Sequence, residues 1–434
     1  MTPARAEAQW SHLALLRLSA YGFGMIGFDL AMMTIILPVL VLDVAPPEFK
    51  NSYLAALAFT GLIVAALVQP MIGRYSDRTR TRLGRRVPYL LWGCAFVCVG
   101  LAGVGFAPNY PVLFGVWLFT QANFNIGYGP YQALIRDLVP ISRIGVASSL
   151  KILSDATGSL VLIVASGALI GLGIASGGSG WQWVALALLG FTLISTTAIT
   201  SVTVRTRESA GALTQDDKAP VRQPDQSLHP QLNWFLISRL LIMTSITAFP
   251  TFGLFFIRDA LGLDNPAEAA QSLGRMILPV GGALALSVYP AGWLSDKVGR
   301  KPVVLAGAVG AALCSIWLLW ADDTSDVVVI ASVLGATIGV LLSANWALAN
   351  DLGPRGREGL HIGIVNLATT GGSAAAKALG PGIDLLNRTA EGRGYDALLI
   401  CCASFFVAGG LLLLPLKMDA RDKTSPRELP EADG

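Results

Sequence analysis

The chain has 434 residues, 53% of them hydrophobic and 14% charged, with a formal net charge of +3. Soluble domains carry about 25% charged residues, so this composition excludes an ordinary water-exposed surface, while the small net charge excludes nothing by itself. The apolar residues gather into long runs, each near the ~20 residues that cross a hydrocarbon core.

Twelve such runs are read at 13–41, 52–72, 87–107, 111–135, 145–173, 181–204, 233–257, 271–294, 302–320, 326–349, 360–386 and 395–416. The first is too long for a cleavable signal peptide, contains Asp29 and lacks a small-residue cleavage pattern. It and the eleventh exceed the usual length, which predicts tilt or a break. After the second run comes a turn holding Gly73, Ser76, Asp77, Arg78, Gly84, Arg85, Arg86 and Pro88. The fourth run carries Gln121, Asn125, Tyr128 and Gln132 at i, i+4, i+7 and i+11, one helical stripe. Facing lipid, such a stripe would cost several kcal/mol. It is therefore expected to face the bundle interior, either lining a cavity or bonding between helices. Gly129 and Pro130 are candidates to break that helix, and Arg136, Asp137 and Arg143 mark its end.

In the fifth run Lys151 and Asp155 stand four apart on one face. They suit either the hydroxyls of a polar solute or a structural ion pair between helices. Residues 205–232, rich in Gln, Asp, Pro and Ser, read as a flexible linker. Early in the seventh run Arg239 either lines a site or snorkels to the interface. A second charged turn follows the eighth run, with Gly292, Ser295, Asp296, Lys297, Gly299, Arg300, Lys301 and Pro302. Asn345 and Trp346 in the tenth run, with Asn366 in the eleventh, are candidates for a second cavity wall; Trp346 suits stacking on a sugar ring or plain packing. Lys377, late in the eleventh, faces either the site or outer water. Ionisable groups at bilayer depth are functional candidates by default, which singles out Asp29, Lys151, Asp155, Arg239 and Lys377. The five cysteines, Cys94, Cys98, Cys314, Cys401 and Cys402, lie in apolar runs as small hydrophobes.

Lys and Arg concentrate in alternate loops: the first turn, Arg136 and Arg143, the second turn, and Arg355 with Arg357. By the positive-inside rule these loops, the linker and both termini are expected in the cytoplasm of a multi-pass cell-membrane protein. The two halves also repeat. Gly73, Ser76, Asp77 and Arg78 match Gly292, Ser295, Asp296 and Lys297 at an offset of 219. Arg85, Arg86 and Pro88 are matched to Arg300, Lys301 and Pro302, and the Ala133–Pro140 stretch to Ala347–Pro354 at 214, including Asp137 with Asp351. A duplicated six-helix unit follows, with 1–204 and 233–418 as two bundles, 205–232 between them and 419–434 as a polar tail. The basic residues of the turns, paired with their acids, are expected to form a cytoplasmic gate.

The pattern G-x-x-S-D-[RK]…G-R-[RK]-x-P, twice over, resembles the signature turn of the major facilitator superfamily. SDRTRTRLGRRVPY, the stretch YGFGMIGFDLAMMTIILPVLVLDV and QALIRDLVP resemble the glycoside–pentoside–hexuronide cation symporters and the related sucrose porters. The resemblance implies an all-α membrane fold of twelve helices and sugar contacts at Asp29 and Lys151. At the positions where the melibiose-type permeases place cation-site acids, this chain has Ala65, Gln69 and Tyr128; Gln132 replaces an aromatic and Thr370 a basic residue. A sodium site is accordingly not expected, and a proton on Asp29 or Asp155 is.

The expected function is secondary transport of a small polar solute, a sugar or glycoside leading, by alternating access. The alternatives are a non-transporting assembly or pigment-handling protein of the same fold, and an exporter of drug-like or lipid molecules. No nucleophile–base motif, nucleotide loop or metal-ligand spacing points to an enzyme. No cofactor or nucleic acid is implied, and a monomer is expected.

Overall fold

The computed structural model describes residues 10–140, 143–175, 180–209, 231–260, 262–263, 265–321, 323–352, 358–390 and 392–416; they are helical almost throughout, with no strand among them. The first run is α1 (His12–Val44), an α-helix that widens into a π turn at Met32–Ile36. There follow α2 (Lys50–Arg78), α3 (Val87–Gly105), α4 (Tyr110–Leu138), α5 (Ile144–Ala175) and α6 (Trp181–Ser209). The second half comprises α7 (Leu232–Ala260), α8 (Pro266–Val298), α9 (Arg300–Trp317), α10 (Thr324–Asp351), α11 (Glu358–Lys377), α12 (Gly380–Asn387) and α13 (Arg393–Leu411). The breaks expected in the long first and eleventh runs are thus the π turn and the step between α11 and α12. Pro130 does not break α4, which stays continuous through it. The linker falls largely at 210–230, outside the described residues, as do the tail and Arg355 with Arg357. Ten helices among the described residues are long and apolar enough to cross a membrane.

Local chemistry fixes the helix ends. Ser11 and Asn109 accept from the amides of Ala14 and Val112 as N-caps. Both charged turns pivot on a glycine with left-handed backbone, Gly84 at φ 98° and Gly299 at φ 97°, a region side chains with a Cβ avoid.

The repeat governs packing. In the first half α1 packs on α5 and α6, α4 on α2 and α3, and α3 on α6. In the second, α7 packs on α11 and α13, α10 on α8 and α9, and α9 on α13: the same set, six spans later. Even the close approaches recur. A Cβ on Gly158 would lie 2.1 Å from the Phe23 carbonyl oxygen, and one on Gly372, 214 residues later, 2.6 Å from that of Leu240.

The halves meet at one end only. Opposite the charged turns, α2 packs on α12 and α5 on α8, the latter so closely that a Cβ on Gly167 would stand 3.0 Å from the Gly274 Cα. Toward the turns, no residue is buried from Leu62 to Tyr75 in α2 or from Ile277 to Pro290 in α8. Over these stretches α2 and α8 pack within their own halves, on α4 and α10, and are not buried by the other half. The molecule is open between its halves at the charged-turn end and sealed at the far end.

Candidate functional site: a charged cavity between two bundles

Asp29 sits in α1 one residue-pair before the π turn, and its Oδ1 accepts a 2.7 Å hydrogen bond from Gln121 Nε2 of α4. Asn125, one turn on, donates to the Gln121 backbone oxygen (2.7 Å) and accepts from Gln69 Nε2 of α2 (2.7 Å). The first half of the polar stripe therefore binds α1, α4 and α2 together, with Gln121 and Asn125 buried. The other half behaves differently: Tyr128 is half-buried and Gln132 exposed. Across the cavity, the half-buried Lys377 of α11 acts electrostatically on Asp29. Lys377 is thus within electrostatic range of Asp29, one charge from each bundle.

Lys151 and Asp155 form an ion pair at 2.6 Å, each side chain less than a fifth exposed. The Lys151 ammonium also lies 5.7 Å from the Tyr128 ring centroid and 5.2 Å from that of Tyr131, within cation–π range. Asp155 reaches this position because Gly22 of α1 has no side chain: a Cβ there would stand 1.8 Å from Asp155 Oδ1. Gly22 of the YGFG stretch lets α5 present its charges, while Gly24 makes room for Thr196 of α6.

In the second bundle Arg239 is fully buried rather than snorkelled. Its Nε donates to Thr369 Oγ1 at 2.8 Å, its Nη1 to Asn345 Oδ1, and its guanidinium carbon lies 4.3 Å from the Trp346 ring centroid. Asn345 and Trp346 are therefore brought to one cluster. Asn366 is exposed and joins no hydrogen bond there. The clusters are equivalent: Asn345, Trp346 and Thr369 lie at the offset of 214 from Tyr131, Gln132 and Asp155. They are counterparts in the two bundles.

At the charged turns each half has its own network. Buried Arg86 pairs with Asp77 at 2.7 Å and Asp137 at 2.8 Å, and donates to Ser76 Oγ. Arg85 also reaches Asp137, at 2.6 Å. Arg300 repeats the pattern with Asp296, Asp351 at 3.3 Å and Ser295 Oγ at 3.0 Å. The contacts correct the residue matching: Arg300 corresponds to Arg86, both at 214, and Arg85 is the extra residue of the longer turn. Lys301 stands apart, donating to the backbone oxygens of Leu414 (2.8 Å) and Leu416 (2.6 Å) after α13. Lys297 lies 3.7 Å from the Trp293 ring centroid. Arg78 is exposed, and the Arg136 side chain lies outside the described residues. Nothing approaches a Cβ position on Gly73 within 4 Å, whereas Gly292 faces Ser343 Oγ at 3.3 Å.

The far end holds residues the sequence reading passed over. Asp384 of α12, buried, accepts from the amides of Asn51 (3.2 Å) and Ser52 (2.6 Å) and from the Ser52 hydroxyl (2.5 Å). It caps the N-terminus of α2 from the opposite bundle. Lys50 bonds Asp259 of α7 at 2.7 and 2.5 Å, and Tyr395 donates to Asp259 at 2.8 Å. The available signal was Asp384 itself, an acid inside the eleventh apolar run.

The sequence matches the family model described as Major Facilitator Superfamily over residues 18–377, and again over 280–432. It is 33% identical to Sucrose transport protein SUT3 of Oryza sativa subsp. indica over 101 residues, 18% of this chain and 20% of that protein. It is 32% identical to SUT1 of Oryza sativa subsp. japonica over 113 residues, 21% of each. The chain spans about a fifth of the length of these curated relatives. Among solved structures, a D-xylose-proton symporter superposes with a TM-score of 0.68 at 15% identity, covering 93% of this chain and 98% of that one. The nucleoside transporter NupG does so with 0.67 at 13%, covering 93% and 98%; at these identities the likeness is one of fold. With the matched span covering most of its length, the chain belongs to the Major Facilitator Superfamily and is a multi-span membrane transport protein rather than an enzyme.

Proposed function

We propose that the protein is a proton-coupled secondary transporter of a small polar solute, of the sugar or glycoside kind, held here with its cavity open to the cytoplasm. The supporting observation is Asp29, held by Gln121 in one bundle, within electrostatic range of Lys377 in the other. A proton on Asp29 removes an attraction that spans the cavity, so protonation and the relative position of the bundles become one equilibrium. The solute then binds between the Lys151–Asp155 wall and the Arg239 wall, near the midplane, where alternating access places such sites. The sugar reading draws on the resemblance to sucrose porters and on the relatives called sucrose transport proteins. The cytoplasmic assignment of the open end follows from the basic residues of the turns. Both bundles then rock about the clusters, and the within-half networks keep each bundle rigid.

The test is uptake of a sugar panel into proteoliposomes under an imposed proton gradient, wild type against Asp29→Asn. Accumulation should collapse in the variant while downhill exchange persists. Accumulation that survives Asp29→Asn, or that follows sodium with no response to pH, overturns the proton assignment.

A further inference from the structure

The Arg239 cluster has one positive charge, and among the described residues no acid pairs with it. Arg239 and Asn345 are both fully buried, and the two hydrogen bonds and ring contact described above involve only neutral partners. A buried cation without a counter-charge is expensive. The cluster also contains two idle donors. Arg239 Nη2 and Asn345 Nδ2 have no hydrogen-bond partner among the described residues. Because Arg239 Nη1 already donates to Asn345 Oδ1, the idle nitrogens belong to a guanidinium and an amide bonded directly to each other, in one buried cluster. Two donor-only N–H groups cannot satisfy each other. They suit a group that only accepts and carries negative charge, and a carboxylate matches the spacing of a guanidinium edge. The opposing cluster differs at this point: there Lys151 is already neutralised by Asp155. The surplus charge sits on the second wall alone.

Trp346 controls access. Its ring stacks on the guanidinium and is 40% exposed, so it separates Arg239 from the open side, and a rotation of one side chain uncovers the donors.

We propose that Arg239 Nη2 and Asn345 Nδ2 form a carboxylate-recognition subsite, and that the transported solute is therefore an acid, a polyhydroxylated carboxylate rather than a neutral sugar. This rests on the transporter reading above, which it narrows.

Thermal-shift and calorimetric titration of the detergent-purified protein test it, using glucuronate against glucose, gluconate against sorbitol, and acetate. The acids should bind about 10- to 100-fold more tightly than their neutral partners, the range of a charge-assisted hydrogen bond. The decisive variant is Asn345→Asp. Its carboxylate closes on both Nη atoms, so the protein should melt higher than wild type while acid binding falls to the level of the neutral partner. That rise separates loss of the subsite from misfolding. Arg239→Lys keeps the charge, loses the fork and should bind acids weakly. Equal affinity for acid and neutral partners, no binding by any acid, or acid binding undiminished in Asn345→Asp each overturns the proposal. Gradient-driven uptake of neutral sugars without acid binding sinks this inference and spares the transporter reading. Acid binding without any uptake supports the subsite and removes the coupled transport.

Discussion

The two ends of the molecule hold their charges in opposite ways. At the charged-turn end every ion pair among the described residues stays within one bundle, Arg86 with Asp77 and Asp137, Arg300 with Asp296 and Asp351. At the far end the pairs cross between bundles, Lys50 to Asp259 and the α2 terminus to Asp384. The first arrangement makes each bundle stiff and leaves the gap between them free. The second closes the gap. Breaking the one should cost stability, and breaking the other should shift conformation, and that difference can be tested residue by residue.

The largest effect is expected at Arg86. It is 4% exposed and serves two acids, so Arg86→Ala leaves half-buried Asp137 with Arg85 alone and Asp77 without its pair. Removing one member of a buried ion pair costs about 3–5 kcal/mol, which should appear as a sharply lowered melting temperature and poor yield. A melting point within a few degrees of wild type would show that Arg85 alone holds Asp137. Asp384→Asn comes next. It weakens charge-assisted bonds to two amides and a hydroxyl, worth about 1.5–3 kcal/mol for a bond to a charged group. The expected readout is faster thiol labelling of a cysteine placed at Ala55, buried beneath α12, with little change in melting. Unchanged labelling would mean the seal rests on α5 against α8 instead.

Arg300→Ala should do less than its counterpart. Asp296 is 67% exposed and Asp351 stands 3.3 Å away, where its twin Asp137 is 2.8 Å from Arg86. A partly solvated pair contributes about 1 kcal/mol or less. Equal losses at Arg86 and Arg300 would mean the halves are energetically symmetric despite their different burial.

How much of this was readable in the residues follows the physics of each feature. The spans, the duplication and the charged turns are written in local composition and constant spacing, and they appear in the structure where the sequence places them. The matching of Arg86 to Arg300 was missed because an inserted Arg85 sits beside an identical residue, and only contacts tell the two apart. The polar stripe of α4 announced an inward face; which of its members bond between helices depends on partners in α1 and α2 that no single-helix pattern contains. Lys377 and Arg239 stood out as charges at bilayer depth, yet the surroundings of Arg239 are set by Asn345, Trp346 and Thr369 on two other helices. The far-end network was nearly silent for the same reason: apart from Asp384, an acid inside an apolar run, its members Lys50, Asn51 and Ser52 are ordinary helix-start residues until two bundles meet.

The smallest effect is expected at Lys50, and it bears most directly on what seals the far end. Lys50→Gln removes the shortest cross-bundle pair, but Asp259 is not stranded: Tyr395 still donates to it and Arg258 stands 3.9 Å away. Replacement by a neighbour keeps the loss near that of a partly exposed pair, about 0.5–1 kcal/mol, so labelling at position 55 should quicken only severalfold. The double variant Lys50→Gln, Asp259→Asn then distinguishes charge from packing. With both charges gone no carboxylate is left buried, and the labelling rate should fall back toward that of wild type. A double variant that opens as far as Asp384→Asn would make the Lys50 pair a principal closure in its own right. The buried cap on α2 would then be secondary, because only a charge pair whose members have no substitutes produces losses of that size.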